Sequence, residues 1–348
     1  MSHDSTILTQ ETSRWPHRLA LLLCCATFPL VWVGGLVTTY KAGMSVPDWP
    51  TTFGYNLFLY PWQTWLLGPW DLFIEHGHRL FASLVGMLTI ALCVSLWMTK
   101  QPKWLQVMGL VALTGVIFQG VLGGMRVRLD QRLLAMIHGC FGPAFFAFAA
   151  VMATVTARGW MKSYRTVSAA NGVWLRRLAV VAPMLAYAQL ALGAHLRHFA
   201  PDGSPAAFQS LVMWHLTFGL LLAIWIVVMA VAFWRSSPRA GALLVPATAL
   251  VVLVGAQLAL GCATWIVKYG WPAFLSNSAS ASTFTVEARS WWQAQITTAH
   301  VATGSLILAV STVLAVVSCR MLDAAVVRRS QPRTVAKATS NILTEATV

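Results

Sequence analysis

The stretch Ile74–Ala82, IEHGHRLFA, sets a glutamate, two histidines and an arginine directly in front of a long apolar run. Side chains of this kind are costly within a bilayer and, where they occur, face the interior of a helix bundle. The run that follows, to about residue 97, is long enough at helical rise to cross a hydrocarbon core, which takes roughly 20 residues. Seven more such runs lie near 19–40, 104–123, 134–157, 178–197, 210–234, 243–267 and 294–319. The 348-residue chain is 57% hydrophobic and 10% charged, with a mean hydropathy of +0.67, a balance that excludes an ordinary soluble domain. An all-α integral membrane protein with eight transmembrane helices is therefore predicted.

The net charge of +14 would suit nucleic acid, but the basic residues alternate by loop rather than forming one patch. With the N-terminus placed in the cytoplasm, 16 of the 24 Lys and Arg fall on the inner side, in the N-terminal tail, alternate loops and the C-terminal tail. That bias predicts both termini inside and no nucleic-acid partner. The first run is long for a signal-peptide core and shares features with later spans, so it reads as a retained helix. No organellar transit segment precedes it, which favours a bacterial cytoplasmic (inner) membrane. The six cysteines fall within or at the ends of spans, form no CxxC motif and read as packing residues.

The spans repeat in two classes. AQLALG occurs at Ala188–Gly193 and again at Ala256–Gly261, and the third span carries the related FQGVLG. Gln119, Gln189 and Gln257 thus stand four residues before Gly123, Gly193 and Gly261, while the first span has Gly34 and Gly35 in the comparable place. Each even-numbered span instead carries a histidine near its outer end: His78, His138, His215 and His300. Gly142, Gly219 and Gly304 follow the last three by four residues, and Ala82 follows His78. A small residue one turn on leaves room for something bulky against the backbone. The chain therefore divides into two similar four-helix bundles, an internal duplication. The predicted units are a cytoplasmic tail 1–18, an N-terminal half 19–165, a C-terminal half 166–319 and a cytoplasmic tail 320–348, with the joint at 163–177. The long outer loop 41–74, rich in tryptophan, reads as a segment in the interfacial aromatic belt.

Four histidines at matched positions suit haem iron, whose two axial sites are closed by imidazoles from facing helices; proton relay and structural hydrogen bonding are the other readings. Pairing is expected within each half, His78 with His138 and His215 with His300. Glu75, His78 and Arg79 stand at i, i+3 and i+4 on one face, with His76 turned about 160° from His78. Glu75 can then reach the edge of a macrocycle on His78 and Arg79 can neutralise a propionate; alternatively the two pair with each other at the helix start. The third position before His138, His215 and His300 is Ala135, Val212 and Thr297, so the two sites differ, one suited to substrate and one to an electron carrier. His195, His198, Arg126, Arg128 and Arg197 at outer helix ends are candidates for gripping propionates or for solvated interfacial positions. Pro47-Asp48-Trp49-Pro50 reads as a rigid interfacial turn.

Glu75-x-x-His78-Arg79, the single histidines of the other even spans, the two similar halves and Gly34-Gly35 resemble the haem A synthase family over roughly residues 15–322. The resemblance implies oxidation of the C8 methyl of haem O to the formyl of haem A, with haem b as cofactor on His215 and His300. It implies substrate haem on His78 and His138, with Glu75 as the catalytic carboxylate; Arg79, from its place on the same helix face, is the candidate cofactor-binding residue. The haem O-producing farnesyltransferase and an unidentified electron acceptor are the implied partners, in a lipid bilayer. The outer-loop cysteine pair common in that family is missing. Two alternatives stand beside this reading. One is a di-haem b electron-transfer protein exchanging electrons with quinone, which gives Glu75 no task. The other is a proton-coupled transporter, which would require broken helices and a carboxylate near mid-membrane.

Overall fold

The structure, a computed structural model, describes residues 13–162, 171–236 and 241–322. Most of the predicted joint, both tail ends and the inner-side basic residues Arg165, Arg239, Arg328, Arg329, Arg333 and Lys337 lie outside the described residues. All eight predicted spans are helices long and apolar enough to cross a membrane. They are α1 (Trp15–Thr39), α2 (Trp70–Met98), α3 (Lys103–Leu129), α4 (Arg132–Val155), α5 (Gly172–Arg197), α6 (Pro205–Ser236), α7 (Gly241–Tyr269) and α8 (Trp291–Leu322). Among the described residues there is no strand beyond an isolated bridge between Thr52 and Tyr55.

Helix ends follow from local chemistry. Pro69 and Pro102 cap the starts of α2 and α3, and Pro16 sits in the first turn of α1, where a missing N–H costs nothing. Asp130 ends α3 in the left-handed conformation, and only Asp130 and Gln131 separate it from α4, so the two helices must run antiparallel side by side. Pro29, Pro143, Pro183 and Pro246 lie inside spans, tolerable where neighbouring helices re-satisfy the freed carbonyls.

In the N-terminal half, α1 packs on α2, α2 on α3, α3 on α4 and α4 back on α1; in the C-terminal half α5, α6, α7 and α8 close a ring in the same order. The rings meet where α8 packs on α1 and α4, and α4 on α5. Helix α8 is the most buried of the eight. It can be central because Ala294, Ala302, Ser305, Ala309, Ser311, Ala315 and Ser318, interspersed with the larger Ile307, Leu308, Leu314 and Val317 on its buried face, let backbones approach without any hydrophobic drive between helices. One ring–ring contact is polar: the Arg197 guanidinium of α5 donates to the Gly35 carbonyl and to Thr39 Oγ1 of α1, both at 2.6 Å.

Candidate functional site

The motif glycines now acquire partners. A Cβ built on Gly34, Gly123, Gly193 or Gly261 would meet Cε1 of His78, His138, His215 or His300 at 3.0, 3.0, 3.0 and 3.2 Å. Each odd-numbered helix thus presents a bare backbone patch to the imidazole of the even-numbered helix after it. The reverse contact is as regular. The side-chain amides of Gln119, Gln189 and Gln257 lie against Gly142, Gly219 and Gly304, at 3.5, 3.0 and 3.3 Å from the missing Cβ. Gln119 and Gln189 Nε2 also donate to the backbone carbonyls of His138 and His215, both at 2.9 Å. The bulky group that the glycine after each histidine accommodates is therefore the glutamine of the neighbouring helix. The first pair completes the logic, because α1 has Leu30 where the glutamine would stand and α2 has Ala82 where the glycine would stand.

Two histidine pairs result. The ring centres of His78 and His138 are 6.5 Å apart and those of His215 and His300 are 6.3 Å apart. A metal–imidazole bond of about 2 Å on each side, plus about 1.1 Å from nitrogen to ring centre, asks for about 6.2–6.4 Å, so each separation leaves room for one metal between two imidazoles. Among the described residues no cluster of three or more His, Cys, Asp or Glu could hold a metal alone. An ion taken by either pair needs its other donors from a ligand, as a porphyrin supplies them. Nδ1 of His138 lies 3.2 Å from the Gln119 carbonyl, which can only accept, so the ring proton sits on Nδ1 and the lone pair on Nε2.

Glu75 and Arg79 pair as their spacing allows, at 2.8 Å, with side chains only 2% and 11% exposed. Their other partners belong to the loop between α1 and α2. Glu75 Oε2 accepts from the Val46 amide at 2.9 Å. The Arg79 guanidinium donates to the carbonyls of Asp48 and Thr51 through one terminal nitrogen and to Val46 and Glu75 through the other. All four of its terminal hydrogens are thereby used, which leaves its Nε–H and its charge as what it can offer a neighbouring anion. His76 faces away from His78, as expected: its Nδ1 is 3.1 Å from Thr52 Oγ1, and its ring lies against Tyr60 and Trp65. The four costly side chains of the opening stretch thus serve two tasks. His78 turns to the histidine pair, and Glu75, His76 and Arg79 clamp the loop above it.

That loop is the part the sequence did not disclose. Asp48 organises the turn by accepting from the Phe53 and Gly54 amides, both at 2.8 Å, and from the Thr51 hydroxyl. Gly54 has φ +79°, a region open to glycine. Partial burial raises the Asp48 pKa, but the donors from Gly54, Thr51 and Phe53 outweigh it and hold the carboxyl below the ordinary aspartate value. Trp49 lies flat on Gly124, where a Cβ would sit 2.1 Å from the indole, and Arg128 donates to the Trp49 carbonyl at 3.3 Å. Arg126 lies against Gly43 and donates to its carbonyl at 3.5 Å. Of the propionate candidates, Arg126, Arg128 and Arg197 thus contact loop or helix backbone. His198, just past α5, has its pKa pushed down to about 4 by burial and by Arg197 and Arg126. The available signal was Gly123-Gly124 beside Pro47-Asp48-Trp49-Pro50, a bare backbone patch and an aromatic in need of one. Gly124→Ala is expected to displace Trp49, because the clash falls on the fused part of the ring and not on a flexible end. Limited proteolysis should then cut within residues 46–60, and a loop as resistant as in the parent would refute the contact.

The COX15-CtaA family model, described as cytochrome oxidase assembly protein, matches residues 70–200. A curated relative from Shouchella clausii (strain KSM-K16), named heme A synthase, is 31% identical over 138 residues, 39% of this chain and 43% of the relative. The alignment thus spans less than half the length of that relative. The family match runs from the start of α2 to just past α5, the stretch that holds Glu75, His78, Arg79 and His138. Over that stretch the chain is similar to the COX15-CtaA family and to a heme A synthase.

Proposed function

We propose that the protein is a haem A synthase, which oxidises the C8 methyl of haem O to the formyl of haem A. In this reading haem O sits between His78 and His138 in the N-terminal half, and haem b between His215 and His300 in the C-terminal half. The observation that carries it is the pair of imidazole separations, 6.5 and 6.3 Å, combined with a carboxylate beside one pair only. Haem b, when bound, supplies one-electron transfer. The chain's own residues do the rest. The glycine patches seat the imidazoles, and the glutamine amides hold the backbone from which two of those imidazoles project.

Glu75 is the proposed catalytic residue. With the formyl oxygen drawn from water, methyl-to-formyl oxidation releases four protons and four electrons (R–CH3 + H2O → R–CHO + 4 H+ + 4 e−), the electrons passing to an external acceptor, and a carboxylate held by Val46 and Arg79 has a set position from which to take a proton or stabilise positive charge developing at the carbon. Arg79 is the proposed cofactor-binding residue through its charge. The clamped loop shields the outer mouth of the first ring from water. The proposed setting is a bacterial cytoplasmic membrane with both chain ends inside.

Co-expression with a source of haem O, followed by pigment extraction from the purified protein, tests the reading. Haem A or O together with haem B is expected. Haem B alone would replace the proposal with the di-haem electron carrier, and a colourless folded preparation would remove both.

A further inference from the structure

At the face of the bundle opposite the four histidines, the start of α1 meets the α2–α3 turn and the end of α4. A cavity of about 270 Å³ opens there, lined by Arg14, His17, Arg18, Gln101, Thr156 and Arg158, with the Ser13 hydroxyl at its edge. Its size falls just under the roughly 300–1,000 Å³ of pockets for drug-sized ligands, the scale of a lipid headgroup rather than a macrocycle. No acidic side chain lines it, and among the described residues Arg14, Arg18 and Arg158 are paired with no carboxylate.

Basic residues at the inner ends of spans ordinarily stand in water, each on its own. Here arginines from two separated chain segments line one concavity, a concentration of like charge that an anion among them would relieve. The neutral groups contribute less. The Thr156 hydroxyl is spent on the Met152 carbonyl at 2.7 Å, so in its 3.3 Å contact with His17 Nδ1 it is the acceptor. That fixes the His17 ring against the wall with a lone pair on Nε2, and the donors left for an oxyanion are the arginines and the Ser13 hydroxyl, which itself accepts from the Trp15 amide at 3.4 Å. The depth also matters. The cavity lies where three spans begin or end, and Trp15, 61% exposed, stands beside it with the Arg18 guanidinium 5.6 Å from its ring centre. A tryptophan in that position belongs to the headgroup layer, and the planar guanidinium fork matches phosphate oxygens two at a time.

We propose that this cavity is a phosphate-binding site whose ligand is the headgroup of an anionic phospholipid. The bound lipid ties the entry of α1 to the exits of α2 and α4 and so closes the N-terminal ring on the side away from its histidines. Nothing in the proposed haem chemistry depends on it, and its test does not read haem at all.

The full chain, stripped of lipid in a zwitterionic detergent, is titrated with phosphatidylglycerol, phosphatidylcholine or inorganic phosphate and examined by native mass spectrometry and thermal unfolding. One tightly retained phosphatidylglycerol and a raised Tm are expected, with no comparable adduct for phosphatidylcholine. The triple variant R14Q/R18Q/R158Q is expected to bind phosphatidylglycerol about a hundredfold more weakly, compounding a loss of roughly fivefold for each arginine near a headgroup. Arg14, Arg18 and Arg158 are exposed and their like charges repel, so the lipid-free Tm of this variant should be no lower than that of the parent. Inorganic phosphate competing at the same arginines would support the site and assign it to a soluble source. Equal affinity of parent and variant for phosphatidylglycerol, equal binding of phosphatidylcholine, or a site that opens only after removal of residues 1–12 would overturn the proposal.

Discussion

Alanine in place of His215 or His300 is expected to strip haem b from the C-terminal ring while leaving the pigment of the N-terminal ring in place. Each imidazole is one of only two protein donors available at its site, and among the described residues no third His, Cys, Asp or Glu stands ready to replace it. Loss of a partner that merely orients a ligand costs about 10–100-fold in affinity, so loss of the ligand itself should cost at least that. The same substitution at His78 or His138 should spare the haem b signal and abolish retention of the substrate haem. Absorption spectra and pigment extracts of the four purified variants would show two classes, split by half of the chain. The fold should survive, because each ring lies against a glycine and the packing lost is that of one half-buried side chain. A single class, in which any of the four removes both haems or none does, would be incompatible with two independent sites.

Glu75→Gln is expected to cut haem A formation more than tenfold while leaving total bound haem close to that of the parent. The amide can still accept from Val46, but its NH2 then faces the Arg79 donors inside a site where the glutamate is 2% exposed. A hydrogen bond to a charged group contributes about 1.5–3 kcal/mol, and the loss is softened here because Arg79 keeps three backbone carbonyls. Some loss of loop stability is therefore expected together with the loss of chemistry. Asp48→Ala separates the two, since it releases the donors of Thr51, Phe53 and Gly54 and loosens the same loop with the Glu75 carboxylate intact. Product that fails in E75Q and persists in D48A assigns the carboxylate to the reaction. Equal failure in both assigns it to the loop, and full conversion in E75Q would end its catalytic role.

Much of this arrangement was legible before any coordinates. Apolar runs of the right length marked every span, because a chain crossing hydrocarbon must satisfy its backbone within each helix and has no other option. The Glu75–Arg79 pair followed from i, i+4 spacing alone, and the opposed direction of His76 followed from the helical angle. Other features were legible only in part. The glycine four residues after His138, His215 and His300 was expected to make room for something bulky, but the identity of its neighbour, a glutamine from the preceding helix, depends on helix rotation and offset. The charge of Arg79 was read toward a propionate, and its hydrogen bonds to a loop about 30 residues earlier in the chain were not foreseen.

What the sequence by itself determined is the set of eight helices, the histidine on every second one, and the small residues at matched depth, because each of these is a local property repeated at a fixed period. Tertiary structure alone decided that the imidazoles meet in pairs at the separation one metal ion needs, that Trp49 rests on Gly124, and that three arginines share a cavity at the far face. Those contacts join segments from about 60 to 140 residues apart in the chain, and no periodicity encodes a distance between helices whose mutual rotation is set only when they pack.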